Sequence, residues 1–501
     1  MVQQITSRYS DRLSGILSCY DRIVITGTLP DACYAAGMTG FLYMHQIRIF
    51  DYARFAEPLR DRIREKAQAL ADESGVAIEF VSKTHIRKED LVAAVIKKRG
   101  DHPGLVHILS AMEACNTYEP WHNKVNHKTY LKPKLGKCLH YYFYFMDYEL
   151  GLVYLRVPTW CPFRLQFYCN GHSWLAKSLA SRSIGYTMAD NAFINIEDWE
   201  TAQKLADSFS PDQLHQILDR YTAMCCPVLD VFPVGYHWSL MQVEYSTDLT
   251  FRSAQIMKPL YEELSRQAIL SVKAEQVATF LGKKITPQLA QEIGSRFATR
   301  IEGTCIKHSL GKATVKMYDK FGRVLRLETM TNNVSFFKHH RKVEHRDGSI
   351  EYCLATIKKS IYSLIDLREV LLGCNKRYLE YLSALDDFSA GHRNLEKLIG
   401  PKEIDGQKLK GLNFFDKAEQ TLLRSLQRPQ FNIRGMRRSD IKPFLPNMSP
   451  AGISRQLWRF KKLGIIKKVA GTYRYYLTRL GRSAIAACCR LTEMIIVPAL
   501  A

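Results

Sequence analysis

Six acidic residues lie at positions from which they could serve metal-dependent chemistry: Asp21, Glu244, Asp248, Glu302, Asp319 and Glu328. A nuclease that works with divalent ions needs three or four carboxylates that converge on those ions. Glu244 and Asp248 are predicted to lie one turn apart on a helix, and the other four fall near predicted strands. Their spacing alone brings no set of them together, and an exposed helix face explains Glu244 and Asp248 equally well.

A tyrosine nucleophile is the second chemistry that the sequence offers. The stretch KMYDKFGRVLRLET is predicted to form two strands, with Tyr318 and Asp319 on the first and Glu328 on the second. The alternative is that these strands carry only ordinary cross-strand pairs, Lys316 with Glu328 or Asp319 with Arg326.

This stretch is similar to one found in replication-initiation proteins of filamentous phages and rolling-circle plasmids. Those enzymes nick DNA with a tyrosine that lies beside a metal held by a His-hydrophobe-His pair. The resemblance implies Tyr318 as the nucleophile, with Asp319 and Glu328 beside it. The sequence departs from the family pattern, because HKTYL, CLHYY and KHHRK provide no His-x-His pair.

Basic residues are dense in SFFKHHRKVEHR, at the consecutive positions Lys338, His339, His340, Arg341 and Lys342. Such a density is unfavourable on an ordinary surface without an anion, so the segment predicts phosphate binding. The segment 121–145 also mixes lysines with aromatic residues, which suits a nucleic-acid groove. A buried strand face made of Tyr141, Phe143 and Phe145 explains this second segment equally well.

The sequence SPAGISRQLWRFKKLGIIKKVAGTYRYYLTRLG predicts a helix followed by a short hairpin. Ser449 is a natural N-cap for the helix, and Gly464 ends it. Two β-prone runs, IIKKV and TYRYYL, then flank a tight turn. The apolar residues that recur at the spacing of one helical face are Ile453, Leu457, Phe460 and Leu463.

This order resembles a winged helix-turn-helix of the MarR and ArsR type over about residues 430–495, with RRSDIKPFL as the first helix of the motif. The residues that the resemblance places against a major groove are Ser449, Ser454, Arg455 and Arg459. The residues that it places against phosphate are Lys467, Lys468 and Arg474. A winged helix used for protein contacts is the alternative. More broadly, the chain resembles a bacterial family at times labelled MarR-like, a label that describes only the C-terminal domain.

The positive charge of the chain is localised. The 501 residues hold 71 Lys and Arg against 49 Asp and Glu, a net charge of +22. Residues 296–346 contribute +8 of this charge, and residues 428–482, with Asp440 as their only acid, contribute +13. Localised basic patches attract polyanions, and no amphipathic anchor or lipidation signal accompanies them. We therefore expect nucleic acid as the partner, DNA more than RNA, and no membrane.

Hydropathy and cysteine patterns predict a cytoplasmic protein. The longest apolar runs are too short to cross a bilayer, and the N-terminus has no signal-peptide core. The 13 cysteines include no CxxC pair. Neither Cys161, Cys169 and His172 nor Cys138 and His140 have the spacing of a structural zinc site. Buried thiols and a capping histidine explain these residues, so we expect no metal and no other cofactor.

The periodicities predict an α+β fold, a mixed-sheet body with a large helical portion followed by a C-terminal winged helix. One of the predicted helices is the segment WSLMQVEYSTDLTF, residues 238–251. The expected segments are an α/β mixed-sheet domain at 1–170, a mainly helical region at 171–295, a basic β-hairpin with helices at 296–398, a linker at 399–429 and the winged helix-turn-helix domain at 430–501.

Two functions of different class follow. The first is a nucleic-acid-binding protein whose basic body and winged helix grip structured or duplex nucleic acid, in a mobile-element or replication context. The alternative is a DNA-nicking enzyme or metal-dependent nuclease, such as a replication initiator that the winged helix targets. A small-molecule-responsive repressor comes third, because such regulators need far fewer residues than precede this domain. Either of the first two is compatible with a homodimer.

Overall fold

Two units make up the fold, the N-terminal unit Gln3–Asp386 and the C-terminal unit Asp387–Ala501. The structure is a computed structural model. The residues that it describes are 5–82, 86–283, 297–386, 389–404, 406–428, 430–431 and 435–490.

Strands dominate the N-terminal unit. They are β1 (Leu13–Thr28), β2 (Ile78–Phe80), β3 (Gly104–Asn123), β4 (Lys128–Asp147), β5 (Gly151–Pro158), β6 (Leu165–Asn170), β7 (Tyr186–Ala189), β8 (Ala192–Ile196), β9 (His237–Phe251), β10 (Phe297–Glu302), β11 (Cys305–Leu310), β12 (Ala313–Lys320), β13 (Val324–Thr331), β14 (Lys338–Glu344) and β15 (Ile350–Thr356). Among the described residues, eleven of them form one mixed sheet in the order β10-β11-β12-β13-β9-β1-β6-β5-β4-β3-β2. The pairs β7–β8 and β14–β15 form separate hairpins.

Helices cover this sheet. They are α1 (Ile5–Arg8), α2 (Ala35–Met44), α3 (Tyr52–Ser74), α4 (Lys88–Arg99), α5 (Gly171–Ala180), α6 (Trp199–Asp207), α7 (Pro211–Cys225), α8 (Ala254–Ser271), α9 (Ala274–Phe280) and α10 (Leu364–Asp386). α10 packs against β9 and β13, and α5 and α6 pack against β1. The large mixed sheet with helices confirms the α+β class that the sequence predicts.

β9 corrects the helix predicted for residues 238–251. Val243, Tyr245 and Leu249 belong to the hydrophobic core, whereas Glu244 and Asp248 alternate with them and lie on the other face of the strand. Both faces of β9 are buried, and one of them carries polar side chains. Apolar and polar residues alternate over 243–251 with the period of a strand, so the sequence carries the signal that the helical prediction overlooks.

The described elements of the C-terminal unit are α11 (Ser389–Ile399), β16 (Lys402–Ile404), β17 (Gln407–Leu409), α12 (Lys417–Leu426), α13 (Arg438–Ile441), α14 (Pro450–Lys462), β18 (Ile466–Lys468), β19 (Tyr475–Leu477) and α15 (Arg479–Arg490). α14 begins where the sequence predicts, because Ser449 Oγ accepts the N–H of Gly452 at 3.1 Å. Gly464 follows its last turn with a φ of +78°. β18 and β19 pair antiparallel as the predicted hairpin.

The linker expected at 399–429 is wrong, because these residues help to build the core of the C-terminal unit. The leucines of this segment that are buried in that core are Leu409, Leu412, Leu422, Leu423 and Leu426. The glycine- and lysine-rich composition behind the prediction belongs to the β16–β17 hairpin, whose Gly406 has a φ of +71°. The boundaries expected after 170 and 295 are also wrong, since both fall inside the N-terminal unit.

Candidate functional site

A bulge in β1 brings charged residues over the middle of the sheet. In the ladder between β1 and β9, Asp21 and Arg22 together oppose Glu244 alone. An extra residue of this kind re-aims side chains, and β-bulges occur often beside active sites. The carboxyl group of Asp21 is buried there, whereas Arg22 is exposed.

Three carboxylates from neighbouring strands converge beside this bulge. β9 lies between β1 and β13, and oxygen atoms of Asp21, Glu244 and Glu328 lie within 4.8 Å of one another. From β12, Lys316 Nζ lies 3.2 Å from Glu244 Oε2 and also contacts Glu328. The hydroxyl of Tyr318 donates to Glu328 Oε2 at 2.5 Å. We call these five residues the central cluster.

A buried ion pair lies beside the central cluster. The guanidinium of Arg326 is wholly buried and donates two hydrogen bonds of 2.6 Å to the two oxygens of Asp248. It also lies 3.4 Å from Asp21 Oδ2 and donates to the carbonyl of Asn191 at 2.7 Å. The bidentate geometry is the strongest that an arginine and a carboxylate can adopt, so Arg326 fixes the positions of both aspartates.

Asp21 is held by amide and imidazole groups. Asn170 Nδ2 and Asn191 Nδ2 donate to Asp21 Oδ1 at 2.9 and 2.6 Å. His172 is wholly buried, and its Nδ1 lies 3.2 Å from the same oxygen without a hydrogen bond to any described residue. Because a guanidinium cannot accept, a hydrogen bond over the 3.0 Å between Arg326 Nη2 and His172 Nε2 requires a neutral imidazole with its proton on Nδ1, which faces Asp21.

Burial and neighbouring charge separate the pKa values of these acids. Burial raises the pKa of Glu328 to about 7. Burial also acts on Asp21, but the charge of Arg326 outweighs it and holds the pKa of Asp21 well below its usual range. Burial, followed by the Glu328 carboxylate, raises the pKa of Tyr318. One carboxyl that titrates near neutral pH therefore lies beside one that stays ionised, an arrangement that acid–base catalysts use.

Two carboxylates suggested by the sequence lie away from the central cluster. Asp319 Oδ1 accepts the N–H of Gly322 at 2.8 Å and so stabilises the turn between β12 and β13. Glu302, at the end of the edge strand β10, contacts Lys307 and is exposed. Both acids have a local structural role, and Asp319 is therefore not part of the candidate site.

One of the two cross-strand pairs predicted between β12 and β13 is confirmed. Lys316 lies opposite Glu328 and contacts it. The pair of Asp319 with Arg326 is wrong, because the register sets them one residue apart. Arg326 instead pairs with Asp248 of β9, a strand more than sixty residues earlier in the chain.

His172 and Arg326 are the residues whose roles the sequence analysis missed. Asn170, and not His172, caps α5, since its side chain accepts the N–H groups of residues 172 and 173. A signal for Arg326 was present in VLRLET, where Arg326 and Glu328 alternate with apolar residues of a strand. Charged residues in such an alternation indicate a polar face, and both prove to be buried.

The basic segment 338–342 lies on the separate hairpin β14–β15, which we call the ribbon. Lys338, His340 and Lys342 are exposed, and none of them forms an ion pair within the described part of the chain. His339 and Arg341 lie on the other, less exposed face, where His339 Nδ1 is 3.5 Å from Asp366 Oδ2. The ribbon therefore divides the five predicted phosphate-binding residues between two faces.

α14 exposes only part of its predicted polar face. Ser454 and Arg455 are exposed. Arg459 instead donates to the carbonyls of residues 410–411 at 2.8 and 2.6 Å and to Glu419 Oε1 at 2.7 Å. Its side chain is only 11% exposed. The implied contact of Arg459 with a major groove is wrong, because its guanidinium is held inside the C-terminal unit.

The hairpin β18–β19 presents the remaining predicted contacts. Lys467 and Lys468 are exposed, and Arg474 is half-buried. Lys468 Nζ lies 5.2 Å from the centre of the Tyr473 ring, a cation–π contact. Ser449 is exposed, with its hydroxyl committed to the cap of α14. The basic residues that line a cleft between α13, α14 and this hairpin are Arg437, Arg438, Lys442 and Lys468.

The lysine- and aromatic-rich segment 121–145 lies on β3 and β4 and supports the buried-strand alternative. Tyr141, Phe143 and Phe145 belong to the hydrophobic core. Two of the lysines of this segment, Lys132 and Lys134, pair with the carboxylate of Glu119. These three rings are buried and cannot stack with a base.

No protein-family model matches the chain, and neither a curated protein nor a solved structure is significantly similar to it. Within the described ranges, every helix is too short or too polar to cross a bilayer.

Proposed function

We propose that the protein binds nucleic acid through two basic surfaces, one on each unit. The proposal is carried by exposed cations that have no ion-pair partner among the described residues: Lys338, Lys342, Arg455, Lys467 and Lys468. Ordinary surfaces intersperse charges of both signs, whereas residues 428–482 carry 14 Lys and Arg and the single acid Asp440. Exposed cations in acid-poor surroundings attract the phosphate backbone.

The C-terminal unit supports DNA as the ligand, bound by a winged helix-turn-helix of the MarR or ArsR type. The order α13, α14, hairpin and α15 is the order that such a domain requires. In this proposal, α14 enters the major groove with Ser454 and Arg455, while Lys467 and Lys468 contact phosphate. A helix fits the major groove of B-form DNA but cannot enter the deep, narrow major groove of RNA.

We place this function in the cytoplasm, in a mobile-element or replication context. The cysteines whose side chains the structure describes are free thiols, which suits a reducing compartment. Proteins that process a replicating or moving element must recognise one site and hold the strand beside it. Two separate nucleic-acid-binding surfaces on one chain suit that task.

Salt dependence tests the proposal. We expect the affinity of the full-length protein for labelled DNA, measured by fluorescence anisotropy, to fall with a log–log slope of about −5 or steeper. The double variant Lys467→Gln, Lys468→Gln should reduce the magnitude of this slope by about two. The matched control Lys97→Gln, Lys98→Gln on the exposed side of α4 should leave it unchanged. Binding that is insensitive to salt would contradict the proposal.

A second candidate function is metal-dependent cleavage of a phosphodiester bond at the central cluster. It is favoured by the convergence of Asp21, Glu244 and Glu328, whose oxygen atoms lie within 4.8 Å of one another. Carboxylate oxygens are ligands that Mg²⁺ and Mn²⁺ accept, and such ions activate water for attack on phosphorus. In hydrolysis the water oxygen forms one P–O bond while the bond to the leaving oxygen breaks, and that oxygen takes up a proton.

Metal binding can be tested apart from activity. The ammonium of Lys316 already contacts Glu244 and Glu328, so a divalent ion has to compete with it. In a Mn²⁺ titration followed by electron paramagnetic resonance, Lys316→Met should therefore bind Mn²⁺ more tightly than the wild type. Glu244→Gln should bind it more weakly. Equal Mn²⁺ affinities in all three proteins would contradict the metal-dependent function.

Incubation with supercoiled DNA and Mg²⁺ or Mn²⁺ tests the reaction itself. Nicking that is lost in Glu244→Gln and kept in Tyr318→Phe would establish water as the nucleophile. A covalent DNA adduct that is lost in Tyr318→Phe would establish the tyrosine mechanism instead. We expect the first result, because the raised pKa of Tyr318 makes its phenolate less available.

A further inference from the structure

We infer that the outer face of the ribbon binds single-stranded nucleic acid by stacking bases on Tyr352 and His340. This inference rests on the proposed function and narrows it to one form of ligand at one surface. The outer face is defined by four cross-strand pairs: Lys338 with Thr356, His340 with Leu354, Lys342 with Tyr352 and Glu344 with Ile350.

The outer face combines cations with large exposed hydrophobic side chains. Ile350 is 69% exposed, Tyr352 68% and Leu354 54%. The rings of His340 and Tyr352 stack, with centroids 6.0 Å apart and an angle of 24° between their planes. Three large hydrophobic side chains in a row on a two-stranded hairpin form a patch of the kind that marks an interaction site.

The other face of the ribbon has a different character. Its residues are less exposed, and His339 lies near Asp366 at the start of α10. Arg341 donates to the carbonyl of Thr356 within the ribbon at 3.2 Å. The two faces are therefore not equivalent, and the cations and rings available to a ligand are those of the outer face.

The chemistry of the outer face favours single strands over duplex. Single-strand binding sites hold phosphates on lysines and stack bases on aromatic rings. Lys338 and Lys342 supply the first requirement and Tyr352 with His340 the second. In a duplex the base faces are covered by their neighbours, so Tyr352 and Leu354 would find no partner there. Readout in a groove relies mostly on hydrogen bonds to base edges, which the side chains of Ile350 and Leu354 cannot form.

Anisotropy titrations with oligo-dT and with a dT·dA duplex test the inference on the full-length protein. Tyr352→Ala should weaken binding of oligo-dT by about 10-fold or more, as expected for the loss of one stacked base. Its effect on the duplex should stay below about twofold. Tyr352→Phe should keep the wild-type affinity, since it keeps the ring. As a matched control, Tyr148→Ala removes a tyrosine of similar exposure, 76%, from the same unit and should change neither affinity.

The outcomes separate this inference from the proposed function. If the wild type binds neither DNA, both fail. If the wild type binds oligo-dT and Tyr352→Ala does not weaken it, only the inference fails, and the outer face is left to a protein partner. Equal weakening of single strand and duplex by Tyr352→Ala would also overturn the inference. Thermal unfolding of Tyr352→Ala and Tyr352→Phe, compared with the wild type, identifies any loss caused by misfolding.

Discussion

The central cluster and the surface of α14 with its hairpin use the same types of charged residue in opposite ways. In the N-terminal unit, Arg326 and Lys316 are surrounded by carboxylates and are largely removed from water. In the C-terminal unit, Arg455, Lys467 and Lys468 point into water with almost no acid nearby. Buried charges must be neutralised locally to be tolerated, whereas exposed ones remain available to a ligand.

Arg459 shows that this difference is set by neighbours and not by residue type. It lies one helical turn from Arg455 on α14, but it is held by Glu419 and two carbonyls. Arg455 is exposed. A basic residue on a proposed recognition helix can therefore serve either stability or binding, and only its surroundings decide which.

The largest expected effect is the loss of stability when Arg326, the cation next to the central cluster, is replaced. Arg326→Met leaves Asp248 and Asp21 buried without their partner, so it should lower the free energy of unfolding of the N-terminal unit by about 3–5 kcal/mol. Urea denaturation followed by tryptophan fluorescence measures this loss. Arg300→Met on the exposed edge strand β10 is the control and should cost less than about 0.5 kcal/mol. Equal stability of the two variants would show that the Arg326 pair contributes nothing net.

The second prediction compares two arginines of α14, one buried and one exposed. Arg459→Gln removes one partner of a buried ion pair and should destabilise the C-terminal unit by about 3 kcal/mol. Arg455→Gln should change its stability by less than about 0.5 kcal/mol. Hydrogen exchange of the α14 amides, measured by mass spectrometry, resolves this unit from the other. Faster exchange in Arg455→Gln than in Arg459→Gln would reverse the roles assigned here.

In the C-terminal unit, α14 and the hairpin after it could be predicted from the sequence because their signals are local. Ser449 caps α14, Gly464 follows its end, and the apolar stripe falls within thirteen residues. The strands β12 and β13 could be predicted for the same reason. The environment of Arg459 could not be predicted in this way, because its partner Glu419 lies forty residues earlier, on α12.

The acids of the central cluster could be identified as candidates from the sequence, but the sequence could not show that they converge. Asp21, Glu244 and Glu328 meet because β1, β9 and β13 are neighbours in the sheet, although hundreds of residues separate the first from the last. Strand order of this kind depends on long-range pairing, which periodicity cannot report. The helix predicted for residues 238–251 also puts Glu244 and Asp248 on one face, but a helix there cannot pair with β1 and β13 and so cannot bring that face beside Asp21 and Glu328.

A smaller effect concerns the pH dependence of stability. The ordinary pKa of Glu328 is 4.5, and in the fold it is raised to about 7. Between these values the folded state binds more protons than the unfolded state, so stability falls as the pH rises. From pH 5 to 7 we expect a loss of about 2–3 kcal/mol in the wild type relative to Glu328→Gln, which cannot ionise.

Thermal unfolding of both proteins at several pH values measures this difference. The contribution of Glu328 is fully present below pH 4.5 and is lost as the pH passes about 7. The exposed Glu344→Gln serves as the control and should follow the wild type throughout. A wild type whose stability relative to Glu328→Gln stays constant from pH 5 to 7 would mean that Lys316 and Tyr318 hold Glu328 ionised.

The smallest effect tests whether the exposed side of α14 reads sequence. An arginine that forms a bidentate bond to a guanine edge contributes about 1–3 kcal/mol of discrimination, so Arg455→Ala should weaken binding to a selected duplex at least about fivefold more than binding to a scrambled one. Lys467→Ala in the hairpin should weaken both duplexes alike and reduce the salt slope by about one. Competition titrations with the two duplexes measure both quantities. Arg455 and Lys467 are both exposed and each carries one positive charge, so the number of charges removed does not explain a difference between the two variants. If both variants weaken the two duplexes uniformly, the C-terminal unit binds DNA by charge alone, and α14 does not act as a recognition helix.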